Sequence, residues 1–446
     1  MLDVPLEIIS AVADTRLEWE TAPGYEQLME YLRSSDWRLF CTVNVPKEEW
    51  EVLRANFPDL WDAVTNVAVS CDTGVTRPGP RVFRHVLDAW QLRPEEVVFV
   101  DTDIENLQFS RAQGLSSLRY HGPEDLSRRL RMYDPEAGLR AAERYLVQSL
   151  ESGAYETVWY PDAGGEGRAL NDIYSVLLMI HENDWLARQP CAEHLLREIH
   201  LLREDGLVPF FRGDKLPPDV DPMPLDVDDT SLLYSTLLKH ELFGVDEHEV
   251  DTVAARIAAN TDDDGVICIY FDRDRPRIDA VVCANALFVI HLAGRGGDAR
   301  ATEDHVHAQL TNRAYEDGTL YFPSPDLFLY FVFRLVRRFP SVRSRFGLLL
   351  AGCVAERIGT TYHALDLAVR TIMCRGLDIP NHTDVARLLM LQQPDGSWDP
   401  SPYLLYPSLP ATGYNRTVET ALAAAALHAE LTGRRGMSEA GLEPAQ

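Results

Sequence analysis

The 446-residue sequence is poor in basic residues and in long apolar runs. Lysine and arginine number 42 against 69 aspartates and glutamates, which leaves a formal charge of −27. A chain this acidic disfavours nucleic acid and anionic membranes as partners. The longest apolar stretches, Leu327–Leu335 and Leu348–Ala355, are too short to span a bilayer. We therefore expect a soluble protein in which any polyanionic ligand binds at a locally basic pocket.

The sequence also lacks closely spaced cysteine pairs and a leader. Its seven cysteines are scattered, several within apolar runs, which is typical of reduced core thiols and not of a disulfide framework or a zinc site. The first twenty residues have neither the basic start nor the unbroken apolar run of a secretory signal peptide. These absences predict a cytoplasmic protein.

The sequence has two halves with different patterns. Residues 1–133 alternate strand-like runs, such as Arg38–Val43 and Val97–Val100, with amphipathic helices such as Pro80–Trp90. This alternation predicts an N-terminal α/β domain with a parallel sheet. The turn-rich stretch Met132–Gly138 is the predicted linker to the second domain.

Residues 134–446 show almost no strand signal and a coarse repeat of helices separated by Asp-Gly turns. Six apolar helices begin with polar residues, at Arg168, Asp226, Asp279, Asp326, Thr361 and Asn415. More polar helices, such as Cys191–Leu202 and Val250–Ala259, fall between them. Apolar helices that alternate with amphipathic ones predict an all-α double ring with the apolar helices inside. An irregular bundle or solenoid is the alternative.

Three carboxylates, on Asp226, Asp228 and Asp229, fall within four residues directly before one of these helices. Capping the N-terminus of a helix does not need as many as three carboxylates. Carboxylates this close cannot all ionise cheaply, so at least one pKa should be raised and one proton retained. A protonated carboxyl beside an apolar cavity can act as a general acid. The alternative is a solvated acidic turn.

If the ring closes, the polar helix starts meet at one mouth above an apolar chamber. The residues gathered there would be Asn171, Asp172, Asp226, Asp228, Asp229, Asn285, Tyr330, Arg334, Asp366, Arg370 and Arg416. Acid, amide and guanidinium groups above an apolar chamber suit a ligand with an anionic head and a hydrocarbon tail. For any single residue, an ordinary helix cap or a surface ion pair is the alternative.

Motifs of the second half resemble the β domain of class II terpene cyclases. The run from Asp226 to Thr230 fits that family's D-x-D-D motif, and Gln392–Trp398 (QQPDGSW) resembles its Q-x-x-D-G-x-W repeat. The stretch around Asn285 (VVCANAL) is similar to the family's pattern after its second inner helix. The resemblance covers about residues 136–435 and implies an (α/α)6 barrel in which Gln and Trp of the repeat tie outer helices together.

The first half resembles haloacid-dehalogenase-like (HAD) hydrolases, which implies a Rossmann-like α/β fold. Val75–Phe83 resembles the third motif of that family, with Arg77 in place of the usual Lys. The fourth motif keeps Asp101 and Asn106, but Thr102 replaces its second metal-binding Asp.

The sequence matches the first two HAD motifs even less well. Val43 precedes Asn44 where the second motif usually offers Ser or Thr. The nearest match to the first motif, Asp14-Thr15-Arg16, puts Arg16 where the acid/base Asp belongs, and an Arg opposes Mg²⁺ and keeps its proton near neutral pH. The departures imply a degenerate HAD-like domain that is catalytically silent and covers apolar surface of the second domain.

HAD-like domains fused to terpene cyclase β domains occur in sesquiterpene cyclases that make drimane-type bicycles. The resemblance therefore implies a protonation-initiated cyclase that converts farnesyl diphosphate to drimenyl or albicanyl diphosphate and retains the diphosphate. Asp228 would protonate the terminal alkene. Asp226 and Asp229 would orient its proton and raise its pKa, and Asn285 would hydrogen-bond within the cluster.

Further residues are expected to bind the substrate. Aromatic faces stabilise cations, and the candidates are Tyr234, Phe328, Tyr330, Trp398 and Tyr414, with plain core packing as the alternative for each. The diphosphate is expected to bind with Mg²⁺, and its candidate side chains are Lys215, Arg334 and Arg416. The metal ligands are not evident from the sequence.

Two other functions stay open. One is a bifunctional enzyme whose HAD-like domain hydrolyses the cyclised diphosphate to a drimane alcohol, drimenol. The other is a non-catalytic scaffold, against which the three crowded carboxylates argue. If only cyclisation occurs, a separate phosphatase is the expected partner for the product.

Overall fold

The computed structural model describes residues 23–34, 37–211, 223–406 and 410–440. The chain divides into two units, Met1–Tyr133 and Asp134–Gln446, a boundary that falls within the stretch the sequence marks as a linker. Among the described residues, no helix is both long and apolar enough to cross a membrane.

The N-terminal unit consists of short strands and helices. Its strands are β1 (Phe40–Val43), β2 (Asn66–Val69), β3 (Val98–Asp101) and β4 (Ser116–Arg119). Its helices are α1 (Tyr25–Ser34), α2 (Lys47–Asn56), α3 (Pro58–Ala63), α4 (Ser70–Thr73), α5 (Pro80–Trp90), α6 (Ile104–Ala112) and α7 (Pro123–Leu130). Strand β1 pairs with β2, and β3 with β4, both in parallel as the alternating pattern predicts. The more specific Rossmann-like HAD fold stays a prediction.

A buried ion pair lies at the carboxyl ends of β1 and β3. Arg77 Nη1 is 2.9 Å from Asp101 Oδ2, with the two side chains 2% and 4% exposed. The guanidinium also donates to the carbonyl of Thr42, and Asn106 donates to the same Asp101 oxygen at 2.9 Å. Burial lowers the pKa of Arg77 to about 10, against the opposing effect of Asp101. The polar groups of this end are thus bonded to one another.

The C-terminal unit is built mainly from twelve described helices. They are α8 (Pro135–Ser152), α9 (Ile173–Glu182), α10 (Pro190–Leu201), α11 (Val227–Lys239), α12 (Glu247–Ala259), α13 (Ala280–Leu292), α14 (Arg300–Thr311), α15 (Pro325–Arg338), α16 (Pro340–Glu356), α17 (Ala364–Gly376), α18 (His382–Leu391) and α19 (Arg416–Ala440). Its strands are β5 (Thr157–Pro161), β6 (Arg168–Leu170), β7 (Val208–Pro209), β8 (Leu225–Asp226), β9 (Pro402–Tyr406) and β10 (Ala411–Tyr414).

The odd-numbered helices from α9 to α19 form a closed inner ring. Each packs against the next, and α19 packs back against α9. The even-numbered helices from α8 to α18 pack outside them. From Val227 to Leu237 every residue of α11 is buried, and α15 and α17 are likewise buried along almost their whole length. A helix that is buried on all sides must be apolar all round, which is the pattern from which the double ring is predicted.

The expectation of an all-α second domain is wrong in one respect. A four-stranded antiparallel sheet, in the order β6-β5-β10-β9, joins the segment before α9 to the segment before α19. Its strands have only three to five residues, too few for alternation to stand out from the helical pattern. Arg168, where the sequence predicts the start of the first inner helix, lies in strand β6. That helix, α9, begins at Ile173.

The Gln392–Trp398 motif ties outer helices together, as the resemblance implies. Gln392 Nε2 donates to the carbonyl of Gly138 in α8 at 2.8 Å, and the Trp398 indole donates to the carbonyl of Leu388 in α18 at 2.7 Å. Gly396 between them has φ +93°, and a Cβ there would lie 2.3 Å from the carbonyl oxygen of Ala141. Only glycine fits so close to α8 in that conformation.

A buried ionic network holds α15, α17 and α18 together. Arg370, fully buried, donates to Asp326 at 2.9 Å and to Asp384 at 2.6 Å. Asp326 also binds Arg357, and Asp384 accepts the backbone N–H of Gly359 at 3.0 Å. The positive charge of Arg370 on α17 is therefore compensated by an acidic residue on each of the neighbouring helices α15 and α18.

Candidate active site

The three crowded carboxylates lie at the amino end of α11. Asp226 is the N-cap, with its side chain accepting the N–H of Asp229 at 2.8 Å. Thr230 donates its hydroxyl back to the carbonyl of Asp226, and the backbone N–H of Val208 donates to that hydroxyl at 3.1 Å. The helix cap and β7 thereby fix the carboxylates at one end of the inner ring.

All three carboxyl groups are buried, at 3%, 6% and 1% exposure for Asp226, Asp228 and Asp229. Burial raises the pKa of Asp226 to about 7. It raises the pKa values of Asp228 and Asp229 well above their ordinary range, and the nearby negative charge of Asp226 adds to both shifts. The burial excludes a solvated acidic turn, and the raised pKa values favour the protonated form of these carboxyls.

Asn285 contacts Asp228 directly from α13. Its Nδ2 donates to the Asp228 side chain at 2.8 Å and to the Asp228 carbonyl at 3.0 Å. These hydrogen bonds hold the carboxyl in one orientation. The carboxyl of Asp229 faces that of Asp226 instead, and a hydrogen bond between these two side chains adds to the raised pKa of Asp229.

The raised pKa values predict that stability falls as pH rises. A folded state that holds a proton more tightly than the unfolded chain is favoured below the ordinary carboxyl pKa of about 4, and this advantage disappears as pH rises through the folded pKa. The slope is about 1.4 kcal/mol per pH unit for each such proton. We expect Asp229→Asn, which cannot ionise, to lose less free energy of unfolding than the wild type between pH 5 and pH 8.

Urea denaturation at both pH values measures this difference. Asp263→Asn, which removes an exposed turn carboxyl, is the control for the loss of one negative charge. Equal pH dependence in the wild type and Asp229→Asn would show that Asp229 does not hold the retained proton.

A line of polar groups continues from Asn285 along the axis of the inner ring. Arg334 on α15 donates to Asn285 Oδ1, to Ser235 Oγ and to His181 Nε2, each at 3.0 Å. Its guanidinium also lies 4.8 Å from the ring centre of Phe288. We call Asn285, Arg334, Ser235 and His181 the axial cluster. Sequence reasoning missed His181 and Ser235, which sit far from any helix start.

His181 accepts the hydrogen bond from Arg334 and is therefore held in its neutral form. Burial, followed by the charge of Arg334, lowers the pKa of this histidine well below its ordinary value. Its other ring nitrogen lies 3.1 Å from the hydroxyl of Thr236. Arg334 consequently remains the cation of the axial cluster.

A pocket of about 1750 Å³ opens on the far side of the axial cluster from the acids. His181, Ser235, Tyr330 and Arg334 are among its lining residues, which otherwise come from the carboxyl-terminal halves of the inner helices and from neighbouring loops. Within the described residues, this pocket opens at the carboxyl ends of the inner helices, whereas the sequence places the mouth at their starts. The acids lie buried at one end of the ring, and the large pocket opens at the other.

The rim of this pocket is rich in charge of both signs. Its basic side chains are Arg188, Lys239, Arg337, Arg338 and Arg375, and its acidic ones are Glu143, Glu182, Asp184, Glu247 and Asp251. Lys239 and Asp184 form an ion pair of 3.0 Å. Arg337, Arg338 and Arg375 are exposed and form no ion pair with described residues. The pocket thus combines an apolar wall with unpaired cations at its opening.

Among the predicted aromatic residues, only Tyr330 lines this pocket. Tyr234 donates to Glu249 on the outer helix α12 at 2.7 Å, and Phe328 stacks on Tyr315 with ring centres 5.0 Å apart. Trp398 belongs to the helix-tying motif, and Tyr414 packs on Tyr160 in the sheet. These four side chains therefore pack against other parts of the fold. Spacing in the sequence does not distinguish such packing positions from positions on a cavity wall.

Tyr174 and Phe331 are aromatic residues near the acids that the sequence reasoning missed. Their ring centres lie 6.5 Å apart in a stacked arrangement, and Phe331 also faces Arg334 at 5.1 Å. The Tyr174 hydroxyl has no described hydrogen-bond partner. Burial raises its pKa well above the ordinary value, and the charges of Asp228 and Asp229 add to this shift.

Most other residues expected at the mouth have local partners. Asp172 caps α9, and Asn171 donates to Glu156 at 3.0 Å. Asp366 accepts from Ser324, Arg370 belongs to the buried ionic network, and Arg416 pairs with Asp399 at 2.8 Å. These are caps and ion pairs, the alternative that the sequence left open.

Of the two diphosphate candidates that the structure describes, Arg334 faces the pocket. Lys215 lies outside the described residues, and Arg416 is not part of the pocket lining. Within the described ranges, no group of three or more metal-ligating side chains could hold a metal by itself. Mg²⁺ commonly binds through one or two carboxylates together with substrate phosphates and water. The rim carboxylates Glu182 and Asp184 fit that mode.

Comparison with known proteins gives a family match and a similar characterised protein. Residues 165–292 match the family described as the sesquiterpene cyclase astC-like C-terminal domain. The chain is 29% identical over 394 residues to drimenol cyclase drtB of Aspergillus calidoustus, which covers 87% of this chain and 69% of that protein. Together with the buried acids, these matches support an enzyme that cyclises terpenoid substrates.

Two solved structures are similar at TM-scores below 0.5. A protein from Actinoplanes is 13% identical, with 67% of this chain and 100% of that chain covered and a TM-score of 0.49. The type II terpene cyclase MstE from Scytonema is 12% identical, with 67% and 99% covered and a TM-score of 0.47.

Proposed function

We propose that the protein is a class II, protonation-initiated sesquiterpene cyclase. It converts farnesyl diphosphate to a bicyclic drimane-type diphosphate, drimenyl or albicanyl diphosphate, and leaves the diphosphate in place. The observation that carries this proposal is the buried cluster of Asp226, Asp228 and Asp229: desolvation raises all three pKa values, and the charge of Asp226 raises those of Asp228 and Asp229 further.

Asp228 is the proposed acid because its carboxyl is held by Asn285. Its O–H bond breaks as the terminal alkene gives its electron pair to the proton, and the cation is attacked in turn by the two remaining double bonds. Loss of a proton from the bicyclic cation then forms the product alkene. Asp226 and Asp229 keep the acid protonated before each turnover, and the aromatic faces of Tyr174 and Phe331 stabilise positive charge near the acids.

The pocket is the proposed entrance for the substrate. Asp228 and Lys239 lie at the two ends of α11, about 16 Å apart at 1.5 Å per residue, a span comparable to an extended farnesyl chain. With the hydrocarbon tail directed toward Asp228, the diphosphate lies at the rim beside Arg337, Arg338 and Arg375. Glu182 or Asp184 would hold Mg²⁺ there, and the ion would offset charge on the diphosphate. The overall charge of −27 makes such local compensation necessary.

Product analysis tests this function. Purified protein is incubated with farnesyl diphosphate and Mg²⁺, and in parallel with geranylgeranyl diphosphate, and the products are analysed with and without added phosphatase. The expected product is a bicyclic C15 diphosphate that gives free alcohol only after phosphatase is added. Release of pyrophosphate in step with cyclisation would contradict a class II reaction.

Changes at the rim are expected to weaken substrate binding more than catalysis. Loss of a hydrogen bond to a charged group is worth about 1.5–3 kcal/mol, so Arg337→Ala or Arg375→Ala should raise KM about tenfold or more with kcat nearly unchanged. EDTA should raise KM in the same way, and added Mg²⁺ should restore it. Steady-state kinetics measure both effects.

The matched control is Arg345→Ala, since Arg345 forms exposed ion pairs with Glu303 and Asp304 on α14 and does not line the pocket. An increase in KM for Arg345→Ala as large as for the rim variants, or full activity in EDTA, would place the diphosphate elsewhere.

The second candidate function is a bifunctional enzyme that releases drimenol. The name of the Aspergillus relative favours it, and a match over 87% of this chain extends into the N-terminal unit. The Arg77–Asp101 ion pair disfavours it, because the guanidinium occupies an oxygen of the kept aspartate. Free alcohol formed without added phosphatase, and lost in Asp101→Asn, would establish the bifunctional enzyme.

A further inference from the structure

Among the residues that the structure describes, Arg334 has no acidic partner for its buried charge. Its side chain is only 6% exposed, yet all its hydrogen-bond acceptors are neutral: an amide oxygen, a hydroxyl and a neutral imidazole. The rings of Phe288 and Phe331 face the guanidinium at 4.8 and 5.1 Å. A buried guanidinium normally pairs with a carboxylate, as Arg370 does, so the charge of Arg334 calls for an anion that is present only part of the time.

Asp228 is the buried carboxyl to which Arg334 is linked most directly. One amide connects them: Asn285 accepts from Arg334 at 3.0 Å and donates to Asp228 at 2.8 Å. The amide is polarised by the guanidinium, and its N–H group points at the oxygen that becomes negative when Asp228 gives up its proton. A hydrogen bond to an ionised acceptor is about twice as strong as one to a neutral acceptor.

We propose that Arg334 is the counter-charge of the acid: through Asn285 it stabilises the carboxylate that Asp228 becomes on protonating the substrate. This inference rests on the proposed function and makes Arg334 a positioning residue, distinct from the diphosphate ligand expected from the sequence. Because the stabilisation is largest after proton transfer, it lowers the barrier to protonation more than it affects substrate binding.

The charged and titratable groups around Asp228 set the direction of the expected pH effect. They are Asp226 at the N-cap of α11, Asp229 on α11, Tyr174 on α9, Asp279 at the start of α13, Cys283 within α13, Arg334 on α15 and Tyr403 on β9. Arg334 is the cation among them and lowers the pKa of Asp228, while Asp226 and Asp279 raise it. Removing Arg334 must therefore weaken the acid and move its deprotonation to higher pH.

The test compares Arg334→Gln and Arg334→Lys with the wild type in steady-state kinetics across pH. For Arg334→Gln we expect kcat to fall about 10- to 100-fold, KM to change less than about threefold, and the alkaline limb of the kcat profile to move upward. Arg334→Lys keeps the charge, so its alkaline limb stays near that of the wild type even if kcat falls. Circular dichroism confirms that the variants fold.

A third variant, Asn285→Leu, breaks the link from the other side and leaves Arg334 in place. It should move the alkaline limb upward as well, which keeps the inference testable if Arg334→Gln does not fold. An increase in KM without loss of kcat, or an alkaline limb that stays fixed in both Arg334→Gln and Asn285→Leu, would overturn the counter-charge role. If the wild type forms no cyclised product from farnesyl diphosphate, the proposed function itself has failed.

Discussion

Asp228→Asn is expected to lower turnover by about 10²- to 10⁴-fold while the protein stays folded. The amide has nearly the shape of the carboxyl and can keep a hydrogen bond to Asn285, but it has no acidic proton to give. The nearest carboxyls, Asp226 and Asp229, cannot substitute, since the first is committed to capping α11 and the second is not held by Asn285. Product formation from farnesyl diphosphate, followed by mass spectrometry, measures the loss.

A suitable control is Asp366→Asn. Asp366 is similarly buried, at 7% against 6% for Asp228, lies in the first turn of an inner helix, and has a pKa raised by burial. It accepts from Ser324 and Thr361 and is not linked to the axial cluster. Its variant should keep turnover within a few fold of the wild type. Asp228→Asn with turnover within tenfold of the wild type would rule out Asp228 as the acid.

Arg370→Met is expected to destabilise the helical unit by about 3–5 kcal/mol, because removing one partner of a buried ion pair leaves a desolvated charge. Asp384 loses its bond to Arg370 and keeps only neutral donors, the N–H of Gly359 and the amide of Asn381. Asp326 still binds Arg357. The free energy of unfolding from urea denaturation is the measurement.

The double variant Arg370→Met/Asp384→Leu separates the ion pair from packing. With both charges removed, part of the lost stability should return, since a buried pair replaced by apolar groups is often near neutral. A single Arg370→Met variant that loses less than about 1 kcal/mol would mean that water reaches Asp384.

The double ring could be predicted because each inner helix combines a polar start with a long apolar run. The apolar run after Asp226 predicts α11, and the structure begins that helix at Val227 with Asp226 as its cap. Crowding of the three carboxylates is local in sequence, so their raised pKa values could be anticipated as well. The sheet could not, because its strands are too short to carry a periodic signal.

The axial cluster and the pocket form where particular faces of the inner helices meet at the axis of the ring. Spacing in the sequence does not show which faces those are. His181, Ser235 and Arg334 lie on three helices, and only the order of the ring brings them together. Polar residues concentrate at helix starts because they cap free N–H groups. Asp172 and Asp366 show that a polar helix start can have local partners, which spacing in the sequence does not distinguish from a residue of the site.

The sheet that joins the first and last inner helices also bears on how the chain folds. The Thr412 hydroxyl bonds to Asp162, a residue 250 positions earlier in the sequence, and closing a loop of that size costs about 5 kcal/mol in chain entropy. Contacts so distant in sequence slow folding. Until α19 packs into the ring, α9 and α17 keep apolar faces uncovered. A chain that ends before residue 416 would therefore expose apolar surface and be prone to aggregation.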